Sequence, residues 1–278
     1  MSQLISDYML SVNEKMEKIN EITEESICEM IGNIPDNLIN SLGQISKIGE
    51  QGENSIVYKI KDKGISIKIM KNTDKNKREI DFYMYFSSNY NNDYLNFPVV
   101  YRDIECMACN NDEMKNEPCF IIISELYDGS LKSIKQKLSK EQIISLVAQI
   151  IYACSILEQL ELVHGDLHSG NILYKNVDEN DTIEAQIGDS SYAIKTFGKL
   201  WVLWDFGNMT YTGEITPETG IKALDTIKTD FHKIIPLVNK SYLTEFIYNN
   251  ELKNASNTQI LMNYLYEKYP NIISKISK

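Results

Sequence analysis

The chain has 278 residues, 43% of them hydrophobic and 24% charged, a globular balance long enough for one large domain or two lobes. Its net charge of −11 argues against a general nucleic-acid-binding protein and reads as solubility. Its five cysteines follow no regular disulfide framework, and neither a secretory pattern nor an apolar run of membrane-spanning length is evident, so a reducing, cytoplasmic setting is expected.

In chain order, Leu4, Tyr8, Val12, Met16 and Ile19 recur at helical spacing. Thr23 with Ser26 suits the start of a second short helix ended by Gly32, and Asp36 to Leu42 a third ended by Gly43. Residues 1–43 therefore read as a helical extension. Packing is preferred to a docking arm for a partner, because apolar helix faces usually become core. Residues 45–70 read as three strands, Ile45–Ile48, Ile56–Ile60 and Ile65–Met70, with Lys61-Asp62-Lys63-Gly64 as a turn. Alternation puts Ser66 and Lys68 on one face of the third strand. A helix is expected from Lys75 to Ser88, with Glu79, Tyr83 and Phe86 on one face and Glu79 able to reach Lys68.

Residues 89–96 read as a loop, and Phe97–Ile104 and Cys119–Ser124 as two further strands. The segment between those strands, with Cys106 and Cys109, is expected to be a surface loop. Free thiols are preferred there to a zinc site, since no fourth ligand beside Cys106, Cys109 and Cys119 is evident. Ser139-Lys140-Glu141-Gln142 is a capping box that opens a long apolar helix to about Leu160.

The segment Leu162 to Tyr174 sets His164, Asp166, His168 and Asn171 between two apolar runs, a density of polar groups that a buried turn does not tolerate without a task. Asp166 can accept a proton from a hydroxyl, and Asn171 can offer a carbonyl oxygen to a hard cation. That pairing suits phosphoryl transfer, where positioning and charge neutralisation do most of the work. Val177–Ser190 reads as an acidic, turn-rich link and 191–198 as a hairpin. Leu200–Trp204 reads as a strand running into Asp205-Phe206-Gly207. Residues 231–278 read as helical, with Ile234, Leu237, Tyr242, Phe246, Leu261, Tyr264 and Leu265 as core.

The stretch His164-Gly165-Asp166-Leu167-His168-Ser169-Gly170-Asn171 resembles the catalytic loop of the eukaryotic-like protein kinases, His-x-Asp-Leu-x-x-x-x-Asn. Lys68 stands where that family's Val-Ala-Ile-Lys has its lysine, and Asp205-Phe206-Gly207 is similar to its metal-binding motif. The resemblance covers about 45–235. It implies an α+β, bilobal kinase-like fold with an antiparallel-sheet lobe over 44–127 and a shortened, mainly helical lobe over 128–278.

It also implies ATP with Mg2+ or Mn2+ as cofactors and assigns roles. Lys68 would hold phosphates and Glu79 would orient it. Asp166 would be the base, and Asn171 and Asp205 would hold the metal. Register from Val57 and Tyr58 puts Glu50, Gly52 and Ser55 at the three glycine positions of the nucleotide loop; only Gly52 matches, and Gly49 is one place early. Backbone amides can still cradle phosphates from such a turn. Ser124 would be a small gatekeeper with an open pocket behind the base, and backbone groups of Glu125 and Tyr127 would face adenine.

His168 stands where Ser/Thr kinases usually carry a lysine on the γ-phosphate. Gly165 replaces the arginine that reads an activation-loop phosphate, so activity is not expected to be switched by one. Thr216-Pro217-Glu218 resembles Ala-Pro-Glu and Asp230 the aspartate of the next helix. The arginine that normally pairs with that glutamate is missing, because Arg78 and Arg102 lie early in the chain. A regular peptide-docking activation segment is therefore not expected. Tyr192-x-Ile194-x-Thr196-x-Gly198 is similar to kinases of poxviruses and other large DNA viruses, with haspin a distant relative, and would place the protein in host cytoplasm or virion.

Three functions are consistent with this reading. The first is a Ser/Thr protein kinase. The second is a small-molecule kinase of the aminoglycoside or choline kinase type, which the His-Gly-Asp-Leu-His stretch also resembles. The third is a non-enzymatic scaffold, favoured by the altered glycine loop and opposed by the complete polar set. No nucleic-acid partner is expected.

Overall fold

Isoleucine recurs along β2 (Ser55–Ile60) and β3 (Ile65–Lys71), the β-branched composition that suits a pleated, buried surface. The computed structural model describes residues 3–20, 27–28, 45–48, 55–90, 94–109, 117–134, 138–211 and 258–276. The chain divides into two units, one formed by Asp7–Asn89 and Pro98–Tyr127, the other by Met1–Ser6, Tyr90–Phe97 and Asp128–Lys278.

The first unit is built on a five-stranded antiparallel sheet in the order β1-β2-β3-β5-β4, with β1 at Ile45–Lys47, β4 at Val100–Cys109 and β5 at Glu117–Glu125. A single turn of 3-10 helix over Lys61–Lys63 joins β2 to β3, and Gly64 ends it at φ 64°, a left-handed conformation that glycine adopts without strain. Helix α2 (Asp74–Ser88) follows β3. Its N-cap is Thr73, whose hydroxyl accepts from the Asn76 N–H at 3.2 Å. Helix α1 (Gln3–Asn20) buries Val12 and Ile19, and the Ile19 carbonyl accepts from the Arg102 guanidinium at 3.5 Å. Lys15, also on α1, lies 2.7 Å from a Glu125 carboxylate oxygen. Beyond α1 only Ile27 and Cys28 of the expected second helix are described, and the third lies outside the described residues.

Two expectations fail in this unit. Cys106 and Cys109 lie inside β4 and are buried, not on a surface loop. Nor are they free thiols: Cys28 is bonded to Cys106 and Cys109 to Cys119. Among the described residues the free cysteine is Cys154, buried in the second unit.

The second unit is organised on α3 (Lys140–Gln159). The Ser139 hydroxyl accepts from the Gln142 N–H, and the Gln142 side chain accepts from the Ser139 N–H, the reciprocal cap expected from sequence. Among the described helices α3 is the one long and apolar enough to cross a bilayer, and 83% of its apolar stretch is buried inside the protein. Around it lie three small antiparallel sheets. Strand β8 (Ile172–Asn176) pairs with β11 (Lys199–Leu203) and with β6 (Gly129–Ser130). Strand β10 (Ser190–Lys195) pairs with β9 (Thr182–Ile187) and with β13 (Ile273–Lys275). Strand β7 (Leu162–Val163) pairs with β12 (Thr210–Tyr211).

The expected acidic link is thus largely strand β9, in which Ile183, Ala185 and Ile187 are buried and Glu184 and Gln186 exposed. The last segment is not all helix. Helix α4 (Thr258–Lys268) gives way to β13, which completes the edge of β10. Leu261 and Leu265 are core as expected, Met262 joins them, and Tyr264 is half-buried. Ile234, Leu237, Tyr242, Phe246, the Thr216-Pro217-Glu218 motif and Asp230 lie outside the described residues.

A fully buried glutamine ties α3 to β11. Gln149 Oε1 accepts from the Trp201 N–H at 2.8 Å and from the Asn96 amide at 3.0 Å. Its Nε2 donates to the Lys199 carbonyl and to the Ser145 hydroxyl, both at 3.0 Å. Asn96 in turn donates to the Trp201 carbonyl at 2.6 Å, and its own carbonyl accepts from the Leu203 N–H at 2.9 Å. Gln149 satisfies the buried Trp201 N–H and the part-buried Lys199 carbonyl of β11. Gln149→Leu removes those partners while keeping similar volume. We expect it to lower stability by about 3 kcal/mol, the cost of leaving several buried polar groups unpaired, measured by urea denaturation.

Candidate active site

In the first unit, strand parity and helix periodicity place a cation and an anion together. Lys68 Nζ lies 2.6 Å from Glu79 Oε1, and the two side chains are only 6% and 4% exposed. The ammonium also lies 5.7 Å from the centre of the Tyr83 ring, one turn along α2 from Glu79. Removing either partner would leave an uncompensated charge in the core, which makes each position depend on the other. Val57 sits opposite Lys68 on β2, and Ser55 opposite Met70. Gly49 and Gly52 lie outside the described residues.

Ser124, at the end of β5, is buried with its hydroxyl 2.8 Å from that of Ser66, its cross-strand partner. The Glu125 N–H donates to the Val99 carbonyl at 3.0 Å, and the Leu126 N–H to the Gly64 carbonyl at 2.9 Å. The Glu125 carbonyl accepts from the Ser66 hydroxyl at 3.3 Å. The Glu125 side chain is fully buried and accepts from both Lys15 and the Tyr101 hydroxyl. The Tyr127 hydroxyl accepts from the Val99 N–H at 3.1 Å.

The second unit gathers the loop residues. The side chain of Asp166 is 44% exposed. The Asn171 amide nitrogen donates to the Asp166 carbonyl at 2.9 Å, so the atom Asn171 retains for a cation is its Oδ1. The Trp204 N–H donates to the Asn171 carbonyl at 2.9 Å, which ties the end of the loop to the segment entering Asp205. Asp205 has φ 67°, unusual for a residue with a side chain, and its carboxylate accepts from the Gly207 N–H at 3.4 Å. Phe206 is buried, its ring 5.7 Å from that of His164 and 6.4 Å from that of Phe97.

His168 stands beside the carboxylate, with Nε2 3.9 Å from Asp166 Oδ2. Its Nδ1 accepts from the Gly170 N–H at 2.9 Å, which in the neutral ring leaves the proton on Nε2, facing Asp166.

His164 holds the loop from beneath. It is 3% exposed. Its Nδ1 accepts from the Asp166 N–H at 3.4 Å, and its Nε2 lies 3.1 Å from the Trp204 carbonyl, so Nε2 carries the proton. Burial lowers its proton affinity below the usual histidine value, outweighing the Trp204 carbonyl and the carboxylates of Asp205 and Asp166, which favour the cation.

One residue was missed as part of the site. Asn208 donates to Asp166 Oδ2 at 3.4 Å, and its backbone carbonyl lies against Gly165, which has φ 79°. A Cβ on Gly165 would collide with that carbonyl. The signal for Asn208 was a polar residue directly after Asp205-Phe206-Gly207, but its reach to Asp166 follows only from the fold.

The family model for protein tyrosine and serine/threonine kinases matches residues 51–198, more than half of the chain. The chain belongs to the protein kinase family. The matched stretch includes Lys68, Glu79, Asp166 and Asn171 and ends before Asp205. Among solved structures, the crystal structure of the BubR1 kinase domain superposes with a TM-score of 0.54 at 14% identity, covering 81% of this chain and 79% of that one. At that identity the likeness speaks for the bilobal α+β kinase fold alone. No curated protein sequence matches the chain. Family membership makes this chain a phosphotransferase that uses ATP, a divalent metal and a protein substrate.

Two results are expected of the kinase. Because folding favours neutral His164, the stability it contributes is complete above its unfolded value near 6.5 and is lost as pH falls from there through the lower folded value. The melting temperature of the wild type should therefore drop more steeply between about pH 7 and 5 than that of His164→Gln. Gly165→Arg restores the residue the family usually has here. It should nonetheless cost about 2 kcal/mol in chemical denaturation and abolish activity, because neither the positive φ nor the Asn208 carbonyl leaves room for a side chain.

Proposed function

We propose that this kinase transfers the γ-phosphate of ATP to Ser or Thr hydroxyls of proteins in a magnesium-dependent reaction, with Asp166 as the general base. The observation that carries the reading is the Asp166 carboxylate, half exposed and flanked by His168 and Asn208, on a backbone whose carbonyl accepts from the Asn171 amide. An exposed carboxylate at the head of a loop braced by a buried imidazole can meet an incoming hydroxyl and take its proton as the oxygen attacks.

The donor set suits the implied cofactors. Asn171 Oδ1 and the Asp205 carboxylate are hard oxygen ligands of the kind magnesium takes. Bound there, the ion would supply positive charge to phosphate oxygens. Lys68, oriented by Glu79 at 2.6 Å, would present its ammonium to phosphate oxygens. His168, with its proton on Nε2, can donate to an oxygen of the transferring group from the place that the family's lysine occupies.

The Ser/Thr reading rests on the resemblance of the His164–Asn171 loop, with His168 in the place where Ser/Thr kinases usually carry a lysine. A cytoplasmic location follows from the need for ATP, and the similarity of Tyr192–Gly198 to viral kinases makes a large DNA virus the proposed source.

The test is phosphate transfer from radiolabelled ATP with magnesium, using generic acceptor proteins and phosphoamino-acid analysis. We expect label on Ser and Thr, abolished by chelator, and a loss of at least about a hundredfold in Asp166→Asn. Label on tyrosine would overturn the specificity. Nucleotide binding with no labelled protein would favour a small-molecule acceptor or a scaffold.

A further inference from the structure

Strand geometry does not by itself bring Cys106 and Cys109 together. Residues three apart on a regular strand point to opposite faces. Here Cys106 sits opposite Cys119 and Cys109 opposite Glu117, so three steps on β4 match two on β5, and a bulge lies between the cysteines. One extra residue resets the alternation and turns Cys109 back to the face of Cys106. Cys119 shares that face as the cross-strand neighbour of Cys106. The sulfurs of Cys106, Cys109 and Cys119 all lie within 4.8 Å of one another, and all three residues are buried.

The fourth sulfur comes from 78 residues upstream. Cys28, beside the buried Ile27, bonds Cys106 and so brings its sulfur next to one member of the trio. Two adjacent disulfides and a four-thiolate metal site draw on the same four atoms. A tetrahedral zinc ion with Zn–S of about 2.3 Å sets its sulfurs about 3.8 Å apart, within the spread of the Cys106, Cys109 and Cys119 sulfurs. Reaching that arrangement from the bonded pairs requires a thiol reductant, which supplies two electrons and two protons to each S–S bond, after which each pair of sulfurs parts to about 3.8 Å. The set has the Cys-x-x-Cys spacing common in structural zinc sites, and four protein ligands leave no position open for substrate.

We propose that in the reduced protein Cys28, Cys106, Cys109 and Cys119 hold one structural zinc ion. The ion clamps the N-terminal extension, through Cys28, onto the β4–β5 ribbon. It takes no part in phosphate transfer. Binding begins from four thiols, releases their protons and changes no oxidation state; the oxidised alternative, two disulfides, cannot bind it.

The experiment is metal and thiol analysis of the full-length chain, expressed in a reducing cytosol with zinc in the medium and purified without chelator. We expect one zinc per chain, released in step with titration of the thiols by a mercurial, and no loss of zinc in Cys154→Ser. Cys28→Ser should lose the ion. Should that variant fail to fold, the wild-type zinc content and intact mass decide the matter. A metal-free wild type lighter by four hydrogens would mean two disulfides and would overturn the proposal. So would a metal-free chain with five titratable thiols, or zinc retained by a folded Cys28→Ser, Cys109→Ser double variant.

Discussion

A buried imidazole is the constraint on which the second unit depends. His164 receives the Asp166 N–H on one nitrogen and faces the Trp204 carbonyl with the other, while its ring meets Phe206 edge-on. One neutral side chain thereby fixes the backbone at the head of the loop and the backbone entering Asp205. Asn171 repeats the link from the loop's far end, through its carbonyl to the Trp204 N–H. Were His164 charged, it would be a desolvated cation whose Nδ1–H faced another donor, the Asp166 N–H, a state that burial disfavours. The tautomer is set by the same contacts that set the geometry.

Polar side chains buried in pairs or networks recur across the chain where elements distant in sequence must register. Lys68 with Glu79 locks α2 to β3, and Gln149 with Asn96 locks α3 to β11. Such contacts add less net stability than apolar packing of the same volume, but a slip of one residue leaves their polar atoms unsatisfied. Register is therefore specified more sharply than hydrophobic burial alone would specify it.

Much of this was legible in the residues. The first three strands, α2, the cap at Ser139 and the Lys68–Glu79 contact all follow from local periodicity, because their signals lie within a few residues of where they act. What was not legible depends on partners far away. β9 alternates apolar and polar residues, but its acidic content and flanking turns hid a period of two. β13 is three residues long and exists because β10 offers it an edge. The bulge that unites Cys106 with Cys109 is a property of pairing with β5, and Cys28 joins from an element with no visible tie to either. Gly165 reads as the loss of an arginine until the Asn208 carbonyl is seen to fill the space.

The side chain of Glu125 illustrates a different dependence. It is a carboxylate sealed in the core at the end of β5, and its charge partner, Lys15, comes from α1, 110 residues earlier. Neither position can drift alone. A neutral residue at 15 would strand a buried anion, and a neutral residue at 125 would leave the lysine without its acceptor. Among descendants of this chain the two sites are therefore bound to change together or not at all. Helix α1 is thus inherited as part of the strand end it reaches.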